Sequence, residues 1–199
     1  MRDAVAKVLD DKYLTRERGL SDARKVIRSS ANAIRALHRG EVDEAALLMD
    51  EARDLLRGAV NVLADHPDVL HAGFIHDAAK EYAEARLTAA LGSGGPIPLP
   101  EDIEVAVPAY LNGLGEAVGE MRRRMLDLLR GGDLTEAERV LESMDGVVEL
   151  LASLDYPDGM TGGLRRTTDV ARALVERSRS DLTTTVVQER LRRTLEDAG

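Results

Sequence analysis

The sequence predicts an all-α protein, an antiparallel bundle of about seven helices in one domain spanning residues 1–199. Apolar residues recur at three- and four-residue spacing almost from end to end, the period of a helix with one buried face. No stretch alternates apolar and polar residues between turn signals, and β-branched runs are short, so strands have no support. The connections are short, which favours antiparallel neighbours.

The elements follow in order. Leu20, Ala23, Ile27, Ala31, Ile34 and Leu37 mark a first amphipathic helix. Val42, Ala45, Met49, Ala52, Leu56, Ala59 and Leu63 mark a second. Gly40 separates them and Pro67 lies just beyond, where helix ends belong. A third helix is expected from about Pro67 to Leu91, stopping at the Gly- and Pro-dense LGSGGPIPLP. A long fourth begins near Pro108, turns Tyr110, Leu114, Val118, Met121, Met125 and Leu128 inward, and ends at Gly131-Gly132. Two more run from Leu134 to about Leu154 and from roughly Gly163 to Arg179, and a last from Leu182 to about Asp197. RGEVDEAALLM and GGDLTEAERVL look alike, but no third copy exists, so the likeness is a shared way of starting a helix after a glycine stop, not a solenoid.

Composition narrows the function. With no cysteine, disulfide frameworks, thiolate zinc, iron–sulfur clusters and thiol catalysis drop out. A hydrophobic fraction of 44% excludes wholesale disorder. No signal-peptide core and no apolar run of about 18 residues is present, so a cytoplasmic protein without membrane contact is expected. The net charge of −9 argues against a globally basic nucleic-acid binder, though not against local positive patches.

Two acidic pairs carry the candidate chemistry: Glu81 with Glu84 in KEYAEA, and Glu116 with Glu120 in GEAVGEMRRR. At three- and four-residue spacing each pair shares one helix face, close enough for both carboxylates to meet one cation. Each pair sits within an apolar pattern rather than opposite it; the plain alternative is a solvated face of an acidic protein. Four carboxylates brought together repel unless they are protonated or a cation neutralises them. Hard oxygen ligands favour Mg²⁺ or Mn²⁺ over zinc. No Glu-x-x-His motif is present for a di-iron site, Asp68-x-x-His71 being the nearest approach. Arg122, Arg123 and Arg124 follow the second pair and Arg86 the first, so cations stand near the acids to meet a phosphate, or else solubilise the helix ends. His71 is a further candidate for RNA contact, with a plain surface role as its alternative. No nucleophile elbow or phosphate-cradling Gly-rich loop appears.

The blocks DKY (Asp11–Tyr13), ALHRG (Ala36–Gly40), EYAEA (Glu81–Ala85), YLNGLGEAVGEMRRR (Tyr110–Arg124), GGD (Gly131–Asp133) and DYPDGMTGGLRRTTDVARALVE (Asp155–Glu176) are collinear over nearly the whole chain. In that order they resemble the translin and translin-associated factor X (Trax) family. The resemblance implies a seven-helix bundle assembled into a large hollow, octamer-like oligomer that binds single-stranded RNA or DNA. In the Trax branch it also implies Mg²⁺-dependent RNA cleavage. Matched to the Glu-Tyr-x-Glu-Ala and Asp-x-x-Gly-Glu motifs of Trax, the acids fall on Glu81, Glu84, Glu116 and Glu120, with Glu116 where the family pattern has Asp. The chain lacks the basic N-terminal extension and mid-chain insertion of eukaryotic Trax, so it looks like a compact member.

The expectation is therefore a Mg²⁺- or Mn²⁺-dependent endoribonuclease acting on single-stranded RNA. Glu81, Glu84, Glu116 and Glu120 hold the metal, and Arg86, Arg122, Arg123, Arg124 and His71 contact RNA. A non-catalytic single-strand-binding oligomer of translin type and an all-α nucleoside triphosphate pyrophosphatase are the alternatives. Apolar stripes at Leu164, Val170, Ala171 and Leu174, and at Val186, Val187, Leu191 and Leu195, exceed what one bundle needs, and the resemblance gives them to subunit contacts in a homo-oligomer.

Overall fold

The computed structural model describes residues 1–197. Among the described residues are α1 (Arg2–Arg39), α2 (Val42–Leu63), α3 (Pro67–Leu70), α4 (Phe74–Ser93), α5 (Val107–Gly131), α6 (Leu134–Ala152), α7 (Asp158–Thr161) and α8 (Leu164–Asp197), and no strand. None of these helices is long and apolar enough to cross a membrane. Two compact units form: one holds Met1–Arg86 and Pro98–Gly113, the other Leu87–Ile97 and the chain from Leu114 onward.

In the first unit, α1 and α2 form a helical hairpin. Gly40 turns the chain at φ 77°, where a side chain would be strained. Its N–H donates to the Leu37 carbonyl and that of Glu41 to the Ala36 carbonyl, each at 3.0 Å, the paired closure of a Schellman motif. On α2 the predicted stripe is the core from Ala45 to Leu63, with Ala45, Met49, Ala52, Leu56, Ala59 and Leu63 buried. On α1 only Ala23 and Ile34 of the predicted stripe are buried, and the packed face turns toward Val26, Ala33 and Ala36, leaving Leu20, Ile27, Ala31 and Leu37 half-buried. The small residues let the axes approach closely. A Cβ at Gly19 would stand 2.9 Å from a Leu63 methyl.

The expected helix over 67–91 is instead two. Pro67 opens the single turn of α3, its fixed φ suiting a first helical position. Gly73 at φ 97° then breaks the path before α4 starts. Past α4, the segment after Gly94 carries Pro96, Pro98 and Pro100. Asp102 accepts a hydrogen bond from the Leu99 N–H at 2.8 Å, and the Tyr110 hydroxyl donates to the Pro98 carbonyl at 2.9 Å. Glu104, at φ 56°, is held by a bidentate ion pair with Arg57.

In the second unit, α6 packs against α8. Asp133 caps α6 by accepting from the Glu136 N–H at 3.1 Å, and Val140, Met144, Val147 and Leu151 form its buried stripe. The two helices expected over 163–179 and 182–197 are one, α8. Neither Gly nor Pro lies between Arg179 and Leu182 to stop it, and the hydroxyls of Thr183, Thr184 and Thr185 donate to the carbonyls of Arg179, Ser180 and Asp181 one turn back, so they are satisfied within the helix without ending it. Of the two apolar stripes, Leu164 and Ala171 belong to the core, whereas Val187, Leu191 and Leu195 are 57%, 59% and 65% exposed.

Candidate metal centre

The acidic site is built on close helix packing. On α4, Ala78, Ala79, Tyr82, Ala83 and Ala85 are buried, a surface of mostly small side chains. α5 meets it at Gly113. A Cβ there would lie 2.8 Å from the Lys80 carbonyl oxygen and 2.9 Å from both the Ala83 Cβ and the Glu84 backbone nitrogen. Only glycine allows this approach, because two of the three obstacles are backbone atoms. Glu116 follows Gly113 by three residues and so rises from the same face of α5.

Glu81, Glu84 and Glu116 each offer a carboxylate oxygen, and these oxygens lie within 4.8 Å of one another. Glu84 is 9% exposed; Glu81 and Glu116 are half-buried. Lys80 stands 3.3 Å from the Glu81 carboxylate. Ligands at about 2.1 Å around Mg²⁺ are about 3 Å apart when adjacent and about 4.2 Å when opposite. The three oxygens lie within a span comparable to that of one ion's ligands, and an all-oxygen donor set suits Mg²⁺ or Mn²⁺. Glu120, also half-buried, is one turn further along α5 and outside this group of three.

Beside the acids, Tyr82 is fully buried, and its hydroxyl has no hydrogen-bond partner. Burial pushes that hydroxyl above the usual phenol range, opposed by the charges of Arg86 and Arg53. Arg86 reaches Asp50 of α2 at 4.0 Å, and Arg53 reaches the same carboxylate at 3.0 Å.

The arginines that follow Glu120 differ in their surroundings. Arg122 is half-buried and donates to the Ser178 hydroxyl and the Asp181 carboxylate of α8, both at 2.8 Å, so it ties α5 to α8. Arg124 lies 3.8 Å from Glu136, with its Nε buried and without a partner. Arg123 is exposed. His71 caps the end of α3 and is exposed. At the far end of α8, Arg192 and Arg193 both hold Glu189, pulling its carboxyl down to about 2. Sequence reasoning had no signal for the Arg122 tie, since its partners lie 56 and 59 residues away. Arg122→Ala is expected to lower stability by about 1–3 kcal/mol, the range for a hydrogen bond to a charged group plus the partners left unmet. Arg123→Ala should stay within about 0.5 kcal/mol of the parent; thermal unfolding of the two variants side by side measures the contrast.

The all-helical fold is of the translin-like class, as comparison with known proteins shows. The chain is similar to AfC3PO, solved alone (34% identity, TM-score 0.85) and in complex with duplex RNA (35% identity, TM-score 0.84), in each case over 94% of this chain and 98% of that one. C3PO is the translin/Trax complex, and the chain belongs to the translin/Trax family. It shares its fold with apo-NeC3PO at 17% identity and TM-score 0.83, over 92% of this chain and 96% of that one. An uncharacterized protein of Methanocaldococcus jannaschii is 27% identical over 186 residues, 92% of this chain and 82% of its own length. No protein-family model matches the chain.

Proposed function

We propose that the protein is a metal-dependent endoribonuclease that cleaves single-stranded RNA. The observation that carries this reading is the convergence of the Glu81, Glu84 and Glu116 carboxylates within 4.8 Å. These are positions at which the acidic motifs of Trax fall. Mg²⁺ or Mn²⁺, when bound, supplies Lewis acidity toward the phosphodiester. The three carboxylates would hold and orient it, and one of the four acids, Glu120 included, would take the proton from the attacking water. Exposed cations such as Arg123 give the local positive potential that an acidic protein needs to approach RNA.

The AfC3PO complex with duplex RNA favours a second reading, in which duplex is bound and single strand is cut. One experiment separates the possibilities. Labelled single-stranded RNA, its duplex and nucleoside triphosphates are incubated separately with Mg²⁺, Mn²⁺ or EDTA. Cleavage of single strand that EDTA abolishes is the expected result. Binding without cleavage would leave a translin-type binding protein, and triphosphate hydrolysis alone a pyrophosphatase.

Self-association completes the reading. Val187, Leu191 and Leu195 recur every four residues along α8 and are exposed, an apolar seam of the kind that closes against another helix. Light scattering at micromolar concentration is expected to give a multiple of 21.6 kDa. The monomer mass would contradict it.

A further inference from the structure

The Asp155–Glu176 block takes no part in the acid cluster, yet it builds a second feature. Between the C-terminal end of α6 and the first turns of α8 lies a cavity of about 320 Å³, within the roughly 300–1,000 Å³ range of small-molecule pockets. Its apolar floor includes Leu151 and Leu164, both buried. Its wall carries Tyr156, 58% exposed. In a chain with only 3% aromatic residues, where Tyr82 and Tyr110 are buried, an exposed ring beside a cavity stands out.

Two arginines line the same space. Arg165 is 79% exposed, and the Asp155 carboxylate lies 3.9 Å from it, beyond hydrogen-bond reach. Arg172 pairs with Asp169 at 3.0 Å, both exposed. Exposed ion pairs are weak, so either guanidinium can exchange its partner for a phosphate, which it grips bidentately. The carboxylates of Asp155 and Asp169 then face the bound molecule as acceptors for amino groups. Arg165 also borders a second, more open groove of about 440 Å³, flanked by Arg166 and Val170, which gives a chain leaving the cavity somewhere to run.

An aromatic wall, forked cations and carboxylate acceptors together match one nucleotide of an unpaired strand. We propose that this cavity is a subsite for a single unpaired nucleotide, its base stacked on Tyr156, its phosphate held by Arg165 and Arg172, and its amino groups accepted by Asp155 and Asp169. The inference deepens the proposed action on RNA and rests on it for its biological meaning. A base locked in a duplex cannot stack this way. Bases with amino groups are favoured, guanine with its adjacent N–H donors most and uracil least.

The test titrates the full-length protein with GMP and UMP, by calorimetry and by tyrosine fluorescence, which the absence of tryptophan leaves unmasked. GMP should bind more tightly than UMP and quench fluorescence. Tyr156→Ala should weaken GMP by roughly tenfold or more, Tyr156→Phe should retain it, and Arg165→Gln should weaken it with a flatter salt dependence. Glu81→Gln should bind GMP like the parent. Unchanged GMP affinity in Tyr156→Ala, equal affinity for UMP, or no binding at millimolar GMP would each overturn the subsite. Absence of RNA cleavage by the parent protein would instead overturn the nuclease reading and leave the GMP result standing.

Discussion

Replacing Glu84 with Gln is expected to lower RNA cleavage by at least about a hundredfold, since metal assistance is worth several kcal/mol in the transition state. Glu81→Gln and Glu116→Gln should do the same. The effect should be largest at Glu84, which at 9% exposure has the least room for water to take over its role. RNA binding should change little, because the substitution adds no negative charge and removes no cation. A second readout does not depend on activity. A ligand that binds only the folded state at a hundred times its Kd stabilises it by about 2.7 kcal/mol, so Mg²⁺ should raise the Tm of the parent and fail to raise that of the variants. Without metal the order should invert, the Gln variants being equal or more stable because one charge of a mutually repelling group is gone. Full cleavage activity in any of the three would remove that residue from the site, and a metal-independent Tm in the parent would remove the metal.

Gly113→Ala carries the second large effect, and it acts through geometry. The added Cβ would fall 2.8 Å from the Lys80 carbonyl and 2.9 Å from the Glu84 nitrogen. Backbone atoms inside a helix cannot rotate away, so α5 must lift off α4. Overpacking of this kind costs about 1–3 kcal/mol, less up to about 1 kcal/mol regained from the better helix propensity of alanine. The expected net loss corresponds to a Tm drop of a few degrees for a chain of this size. Because Glu116 rides on the same face of α5, the lift also withdraws its carboxylate from Glu81 and Glu84, and Mg²⁺ stabilisation should fall with it. Gly115→Ala makes a useful contrast. Its Cβ would meet only side chains, the Thr167 methyl and the Leu151 methyl, which can yield where backbone cannot, so a smaller loss and an intact metal response are expected. Equal Mg²⁺ responses in the two variants would show that the close approach at Gly113 does not position Glu116.

The helix faces were legible in the sequence because they depend on spacing alone. Glu81 and Glu84 on α4 and Glu116 on α5 could be placed by counting, as could Gly40 at the hairpin turn. What counting could not supply was which faces meet. The role of Gly113 depends on the carbonyl of Lys80 on another helix, which no local pattern reveals. The tie from Arg122 to Asp181 was invisible for the same reason, and three consecutive arginines look equivalent in sequence although Arg122 is held by α8 and Arg123 is exposed. Two boundary misreadings have local causes. A lone Gly73 gives no stop signal inside a helical pattern, yet its positive φ splits that helix. The boundary expected between Arg179 and Leu182 has no Gly or Pro behind it, so the helix runs through.

The length of α8 has a further consequence. Its buried residues end at Leu182, while the helix continues through 183–197, about 22 Å at 1.5 Å per residue. An isolated helix of that length is marginal in water, and its own aids are exposed Glu–Arg pairs such as Arg192–Glu196 and Arg193–Glu189, each worth a few tenths of a kcal/mol. Under the proposed self-association, the backbone order of this arm is on loan from the helix that covers Val187, Leu191 and Leu195. Dilution should then unwind it, so that ellipticity at the helix band falls with protein concentration and becomes a gauge of how many chains have found one another.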